Sequence, residues 1–133
     1  MIEFLLDTNT VIALLRSRAS LAGERLRSRP ADAVATSSIV MFELYYGAFR
    51  SARPAENSAL LDASNFQVLP FDEADGRQAG DIRAELRAGG NPIGPYDLLI
   101  AGQARARDLT LVTSNLREFH RIEGLHVEDW TVP

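Results

Sequence analysis

The chain has 133 residues, 46% of them hydrophobic, and a net charge of −4 at neutral pH, so it is about one domain in size and large enough to bury a core. It has no Cys and no Lys, and all 14 basic residues are Arg, which excludes disulfides, thiolate nucleophiles, Cys-held zinc, a P-loop, Schiff-base chemistry and a Ser–Lys pair. Its two histidines, His120 and His126, both lie near the end, so carboxylates, hydroxyls, amides and Arg must carry any chemistry.

The charge is unevenly spread: residues 1–53 sum to +2 and residues 54–133 to −6. An acidic chain is a poor nucleic-acid binder overall. A local Arg patch such as Arg16, Arg18, Arg25, Arg27 and Arg29 softens that objection, and so would cations held at a carboxylate site. No apolar run approaches the ~18–20 residues of a membrane span. Glu3 and Asp7 interrupt the apolar start, so no signal peptide is expected and the cytoplasm is the default compartment.

Ile2–Leu6 is a short apolar run of the kind buried on both faces of a sheet. Asp7 follows at its carboxyl end, and Thr8, Asn9 and Thr10 are good capping residues for a helix built on Val11, Ile12, Leu14 and Leu15. Leu21, Arg25 and Leu26 predict a second helix, stopped by Pro30. Ala33–Thr36 is a candidate strand. Ser37 or Ser38 then caps a helix over Ile39–Arg50, whose apolar character nearly all round means deep burial or a partner. Pro54–Asn65 predicts a further helix, Phe66–Leu69 a strand ended by Pro70, and Glu73–Ala88 a helix broken by Gly89–Pro92. A helix over Pro95–Arg107 opens on Pro95, which suits a first helical position. Leu109–Thr113 is a strand, Asn115–Arg121 a short helix and His126–Glu128 an edge strand. Strands alternating with helices predict an α/β fold with a mostly parallel sheet covered on both faces. No repeat or linker divides residues 1–133, which are read as a single domain.

Three acids stand out. Asp7, Glu43 and Asp97 are each flanked by apolar sequence, at the edge of an element that must be buried. Ile100, Ala101 and Ala104 share the face of Asp97 and put that acid at the mouth of a core. A lone buried carboxylate is costly and tends to neutralise. Three that converge on a cation stay charged, and oxygen-only ligands suit Mg²⁺, with Mn²⁺ as a substitute. Such a site can activate a water and stabilise a phosphodiester under attack. Each acid also has a structural reading. Asp7 can simply cap the first helix, Asp97 can answer the helix dipole, and Glu43 can pair with a buried Arg. Asn115, three residues before Glu118, fits a capping box or a role beside the acids.

The phrases around these residues are more specific. Leu-Leu-Asp-Thr-Asn opens the chain, and Ser-Ser-Ile-Val-Met-Phe-Glu-Leu-Tyr-Tyr-Gly follows in the middle. Ile-Gly-Pro-Tyr-Asp-Leu-Leu-Ile-Ala comes late, then Leu-Val-Thr-Ser-Asn-Leu-Arg-Glu-Phe and a closing Ile-Glu-Gly-Leu-His-Val-Glu-Asp-Trp. This series resembles the PIN-domain ribonucleases over the whole chain, and most closely the VapC-type toxins of type II toxin–antitoxin pairs. The resemblance implies a three-layer fold around four or five short strands and a Mg²⁺- or Mn²⁺-dependent endoribonuclease. It makes Asp7, Glu43 and Asp97 the metal-binding acids. Asn115 stands where many PIN domains carry a fourth acid. An amide cannot neutralise a second ion, so one tightly held Mg²⁺ is expected, with a second weak or substrate-dependent. Thr8, Thr113 and Ser114 lie beside these positions and can hold waters or phosphate oxygens, and Glu118 is a possible substitute acid. RNA cleavage to a 5′-phosphate and a 3′-hydroxyl, a VapB-type antitoxin, a homodimer and a larger toxin–antitoxin assembly are implied as well. The helix bearing Phe42, Tyr45, Tyr46 and Phe49 offers a groove for a partner helix.

Two other readings stay open. A haloacid-dehalogenase-like phosphatase also starts with a strand ending in Asp, but needs a second Asp where this chain has Asn9, and a Lys that it lacks. A non-catalytic binding or scaffold domain would use the same acids only as helix caps.

Overall fold

In the computed structural model, which describes residues 1–133, thirteen short elements follow one another along the chain. They are β1 (Phe4–Leu6), α1 (Thr8–Arg16), α2 (Leu21–Arg27), a 3-10 turn at Ala31–Ala33, β2 (Val34–Ser37), α3 (Ser38–Phe49), α4 (Pro54–Asp62), β3 (Gln67–Leu69), α5 (Glu73–Ala88), α6 (Pro95–Ala106), β4 (Thr110–Val112), α7 (Leu116–Phe119) and β5 (His126–Glu128). The five strands form one sheet in the order β3-β2-β1-β4-β5, and every neighbouring pair is parallel. Parallel strands need crossover connections, so helices cover both faces and the inner strands are buried. Leu5, Leu6, Ala35, Leu111 and Val112 are accordingly buried.

β1 lies at the centre. Leu6 is in register with Thr36 of β2 and Val112 of β4, so the carboxyl ends of β1 and β4 finish level and β2 runs one residue further, to Ser37. The residues that follow them, Asp7, Ser38 and Thr113, therefore emerge at one edge. In open α/β sheets this is where ligands bind.

Caps account for most helix boundaries. Asp7 itself, in extended backbone conformation, caps α1 by accepting the Thr10 N–H, so Thr8, Asn9 and Thr10 are inside the helix rather than before it. Ser37 caps α3, and Asp72 and Asp75 make a reciprocal capping box on α5. Asn115 makes no side-chain cap on α7; its own N–H instead donates to the Thr113 hydroxyl at 3.0 Å. The helix there spans only Leu116–Phe119.

α5 and α6 pack as an antiparallel pair, with Gly102 against Ala79, Arg105 on Asp81 and Arg107 on Asp75, while Ile82, Leu86, Ile100, Ala101 and Ala104 join the buried core. Gly102 permits the close approach: a Cβ added there would lie 2.6 Å from Ala79 backbone atoms. At the far end of α6, Arg107 pairs with Asp75 at 2.9 Å and with Asp72 at 3.6 Å, and donates to the Pro70 carbonyl. Asp108 then takes a left-handed conformation, φ 54°, which ends the helix and turns the chain into β4. These contacts fix α6, and with it Asp97, against the sheet.

Candidate active site

Asp7 is the most enclosed of the three acids, with 5% of its surface exposed. Its position follows from local chemistry: β1 must stop, α1 must start, and the carboxylate takes the Thr10 N–H at 2.9 Å. Burial pushes its carboxyl pKa up, and the hydroxyls of Thr113 and Thr10 and the Thr10 N–H pull in the opposite direction, while the charge of Asp129 adds to the rise. Thr10 is itself anchored, donating its hydroxyl to the Val112 carbonyl at 3.0 Å.

Glu43 projects from the middle of α3 and is half-buried. Its carboxylate accepts a hydrogen bond from the Thr8 hydroxyl at 2.9 Å, across 35 residues of sequence. Asp97 sits in the first turn of α6, where a negative charge is favoured. Burial raises its pKa first of all, and the charges of Glu43, Asp7 and Glu118 raise it further. So α1, α3 and α6 bring the three acids into one electrostatic neighbourhood. They do not close into a cage: no three acidic or imidazole groups in the chain stand in metal-holding geometry.

No Arg pairs with any of the three, since every ion pair lies elsewhere. Like charges gathered in a half-buried site without a guanidinium are destabilising unless a cation answers them. The donors are all hard oxygens, which fits a Mg²⁺- or Mn²⁺-sized ion rather than zinc or copper.

The neighbouring candidates separate. Thr113 is fully buried beside Asp7. Ser114 is exposed and Asn115 half-buried, and the Asn115 side chain makes no hydrogen bond that would commit it to a structural role. Glu118 is tied to Arg121 at 2.6 Å, although its charge still reaches Asp97. Asp129 escaped the sequence analysis. It follows β5 at the same edge, and the signal for it was its place one residue past a strand end, as with Asp7 and Thr113.

A groove of about 1680 Å³ leads away from Thr8 and Glu43 between α1–α2 and α3–α4, and Arg16 and Arg18 line it. Arg25 and Arg27 donate to backbone carbonyls. Arg29 stacks over Phe4 at 4.4 Å and pairs with Glu128. Only part of the Arg patch is therefore available to a ligand. On α3, Val40, Leu44 and Ala48 are buried, while Phe42, Tyr46 and Phe49 are 51%, 62% and 62% exposed. The apolar surface of this helix thus faces outward as well as into the core.

Residues 4–125 match the family model of the PIN domain. This chain belongs to the PIN domain family. The match takes in all three acids, the sheet edge that carries them and the whole α5–α6 pair. Among curated relatives, this PIN domain is 43% identical over 132 residues to the tRNA(fMet)-specific endonuclease VapC of Salmonella typhimurium, covering 98% of this chain and 99% of the relative. It is 41% identical to the protein of the same name from Shigella flexneri, covering 98% of this chain and 100% of the relative. The crystal structure of DNA-bound VapBC from Salmonella typhimurium contains a chain that superposes on this PIN domain with a TM-score of 0.92 at 43% identity, covering 98% and 99% of the two chains.

Proposed function

We propose that this chain is the toxin of a VapBC-type pair: an endoribonuclease that hydrolyses RNA phosphodiesters at Asp7, Glu43 and Asp97 with Mg²⁺ or Mn²⁺. The observation that carries the reading is the shared field of these acids. Asp97 feels the charges of Glu43 and Asp7, 54 and 90 positions away in sequence, with no Arg to balance them. A phosphatase or a scaffold of helix caps would not need Glu43, which sits in mid-helix and caps nothing.

Asp7, Glu43 and Asp97 would hold the ion. When bound, it supplies charge neutralisation at a phosphodiester under attack and lowers the pKa of a water. The chain's own groups do the rest. The α1 cap and Thr113 fix the Asp7 carboxylate, and the rigid α5–α6 pair fixes Asp97. Asn115 offers a carbonyl acceptor and an amide donor to a water or a phosphate oxygen. Arg16 and Arg18, which make no ion pair, neutralise flanking phosphates along the groove. The names of the Salmonella and Shigella relatives make tRNA(fMet) the first RNA to test, and the Salmonella complex supports a VapB-type antitoxin as the partner. Cleavage leaves a 5′-phosphate and a 3′-hydroxyl.

Sequencing RNA 5′ ends after induction tests this, with Asp97→Asn as control. The expected result is a small set of 5′-phosphate ends that disappears in the variant. The same ends at the same abundance in both would overturn the assignment.

A further inference from the structure

Thr8 stands beside Asp7, where a hydroxyl is free in principle to bind a phosphate oxygen or a water. Its proton is already committed. The Thr8 Oγ1 donates to Glu43 Oε1 at 2.9 Å, and a hydroxyl has one proton to give. The other threonines at this edge are used differently: Thr10 donates to the Val112 carbonyl and Thr36 to the Leu6 carbonyl. Thr113 serves Asp7, and Thr8 is the threonine whose hydroxyl reaches Glu43, from one helix to another.

Glu43 needs such a tie. Asp7 and Asp97 are short side chains at helix starts, and Asp7 is held by the Thr10 N–H. Glu43 has one more methylene, sits in mid-helix and makes no other side-chain hydrogen bond. Left alone, its carboxylate would sample several rotamers. Thr8, whose β-branched side chain is stiff about its first torsion, holds one carboxylate oxygen and leaves the second, Oε2, unengaged. The same first turn of α1 therefore orders two acids: Asp7 through the Thr10 N–H and Glu43 through the Thr8 hydroxyl.

We infer that Thr8 is a positioning residue that sets the Glu43 carboxylate for the divalent ion, rather than a contact to RNA. The inference rests on the proposed metal site and specifies how one of its ligands is oriented. Residues that orient metal ligands typically cost about 10- to 100-fold in affinity or activity when removed.

The test uses the full chain as wild type, Thr8→Val, Thr8→Ser and Glu43→Gln. Mn²⁺ affinity is measured by calorimetry, kcat and KM on a single-stranded RNA, and melting temperature without metal. Thr8→Val is expected to weaken Mn²⁺ by roughly tenfold or more and to lower kcat, leaving KM and the metal-free melting temperature near wild type. Thr8→Ser, which keeps the donor, should restore most of both losses. Unchanged Mn²⁺ affinity with a raised KM in Thr8→Val would overturn the inference in favour of an RNA contact. A Thr8→Val loss that serine fails to restore would overturn it as well. Glu43→Gln separates this inference from its foundation. If that variant loses Mn²⁺ while Thr8→Val does not, only the positioning role is wrong. If neither loses it, the metal site is wrong too.

Discussion

Asp7 and Asp75 are both almost fully buried aspartates, 5% and 1% exposed, and they titrate in opposite directions. Burial raises both, but at Asp75 the hydrogen bonds of Arg107 and of the Asp72 N–H outweigh it and hold the carboxyl below its usual value. Asp7 has no cation and stays raised, as does Asp97. An acid raised in the folded state contributes stability below its unfolded pKa of ~3.9 and loses that contribution as pH rises through the folded value. At neutral pH without metal, Asp7 and Asp97 are therefore a cost to the fold. Asp97→Asn should melt at the same temperature or a few degrees higher in chelator and gain nothing from Mn²⁺, while RNA cleavage falls by at least ~100-fold. Thermal shifts with and without Mn²⁺, alongside a cleavage assay, check all three. The three acids were legible because each is a charge set in apolar sequence. Asp129 was not, because in Glu128-Asp129 it looks like an ordinary solvated end. Asn115 and Glu118 have the spacing of a capping box, but the backbone at Asn115, ψ 54°, does not form one. The Thr8–Glu43 bond spans 35 positions, and no local spacing rule reaches that far.

Among the elements, the α5–α6 pair determines where Asp97 stands. Gly102→Ala would drive a methyl into the Ala79 backbone. Overpacking of this kind costs about 1–3 kcal/mol, so chemical denaturation should show that loss, with weaker Mn²⁺ binding as α6 shifts. Arg107→Ala leaves the Asp75 carboxylate buried without its cation, which costs about 3 kcal/mol. Asp75 has a depressed folded pKa, so its stabilisation is present above the unfolded value and lost as pH falls through the folded one. The gap between wild type and Arg107→Ala should thus be full at pH 7 and narrow in acid, as urea melts across pH will show. Helices with strong punctuation were readable to the residue: Glu73–Ala88 is flanked by Asp72 and Gly89. β1, β3 and β4 came out shorter than their apolar runs, β2 is displaced by one residue and β5 is as read. Ile2–Leu6 yields only Phe4–Leu6 because ladder partners on both sides exist only there. That pairing is a property of the sheet, not of the run.

At the scale of the whole molecule, the alternation of strands and helices was enough to foresee a parallel sheet, and the family resemblance to foresee its layers. The order β3-β2-β1-β4-β5 was not foreseen, since nothing local in a three-residue strand names its neighbours. The outward surface of α3 was left open between burial and a partner. The helix divides: Val40, Leu44 and Ala48 go into the core, while Tyr46 and Phe49 stay exposed. No helix is long and apolar enough to cross a membrane, so these rings do not mark a span. They are where a VapB-type antitoxin helix is expected to bind, and Tyr46→Glu with Phe49→Glu should weaken the co-expressed complex more than tenfold by calorimetry while Mn²⁺ binding is kept. Crystals grown with Mn²⁺ and measured for its anomalous scattering test the central claim most directly. The account predicts one strong peak among the carboxylates of Asp7, Glu43 and Asp97, with oxygens at about 2.1 Å. A peak elsewhere, or none at saturating Mn²⁺, would contradict it.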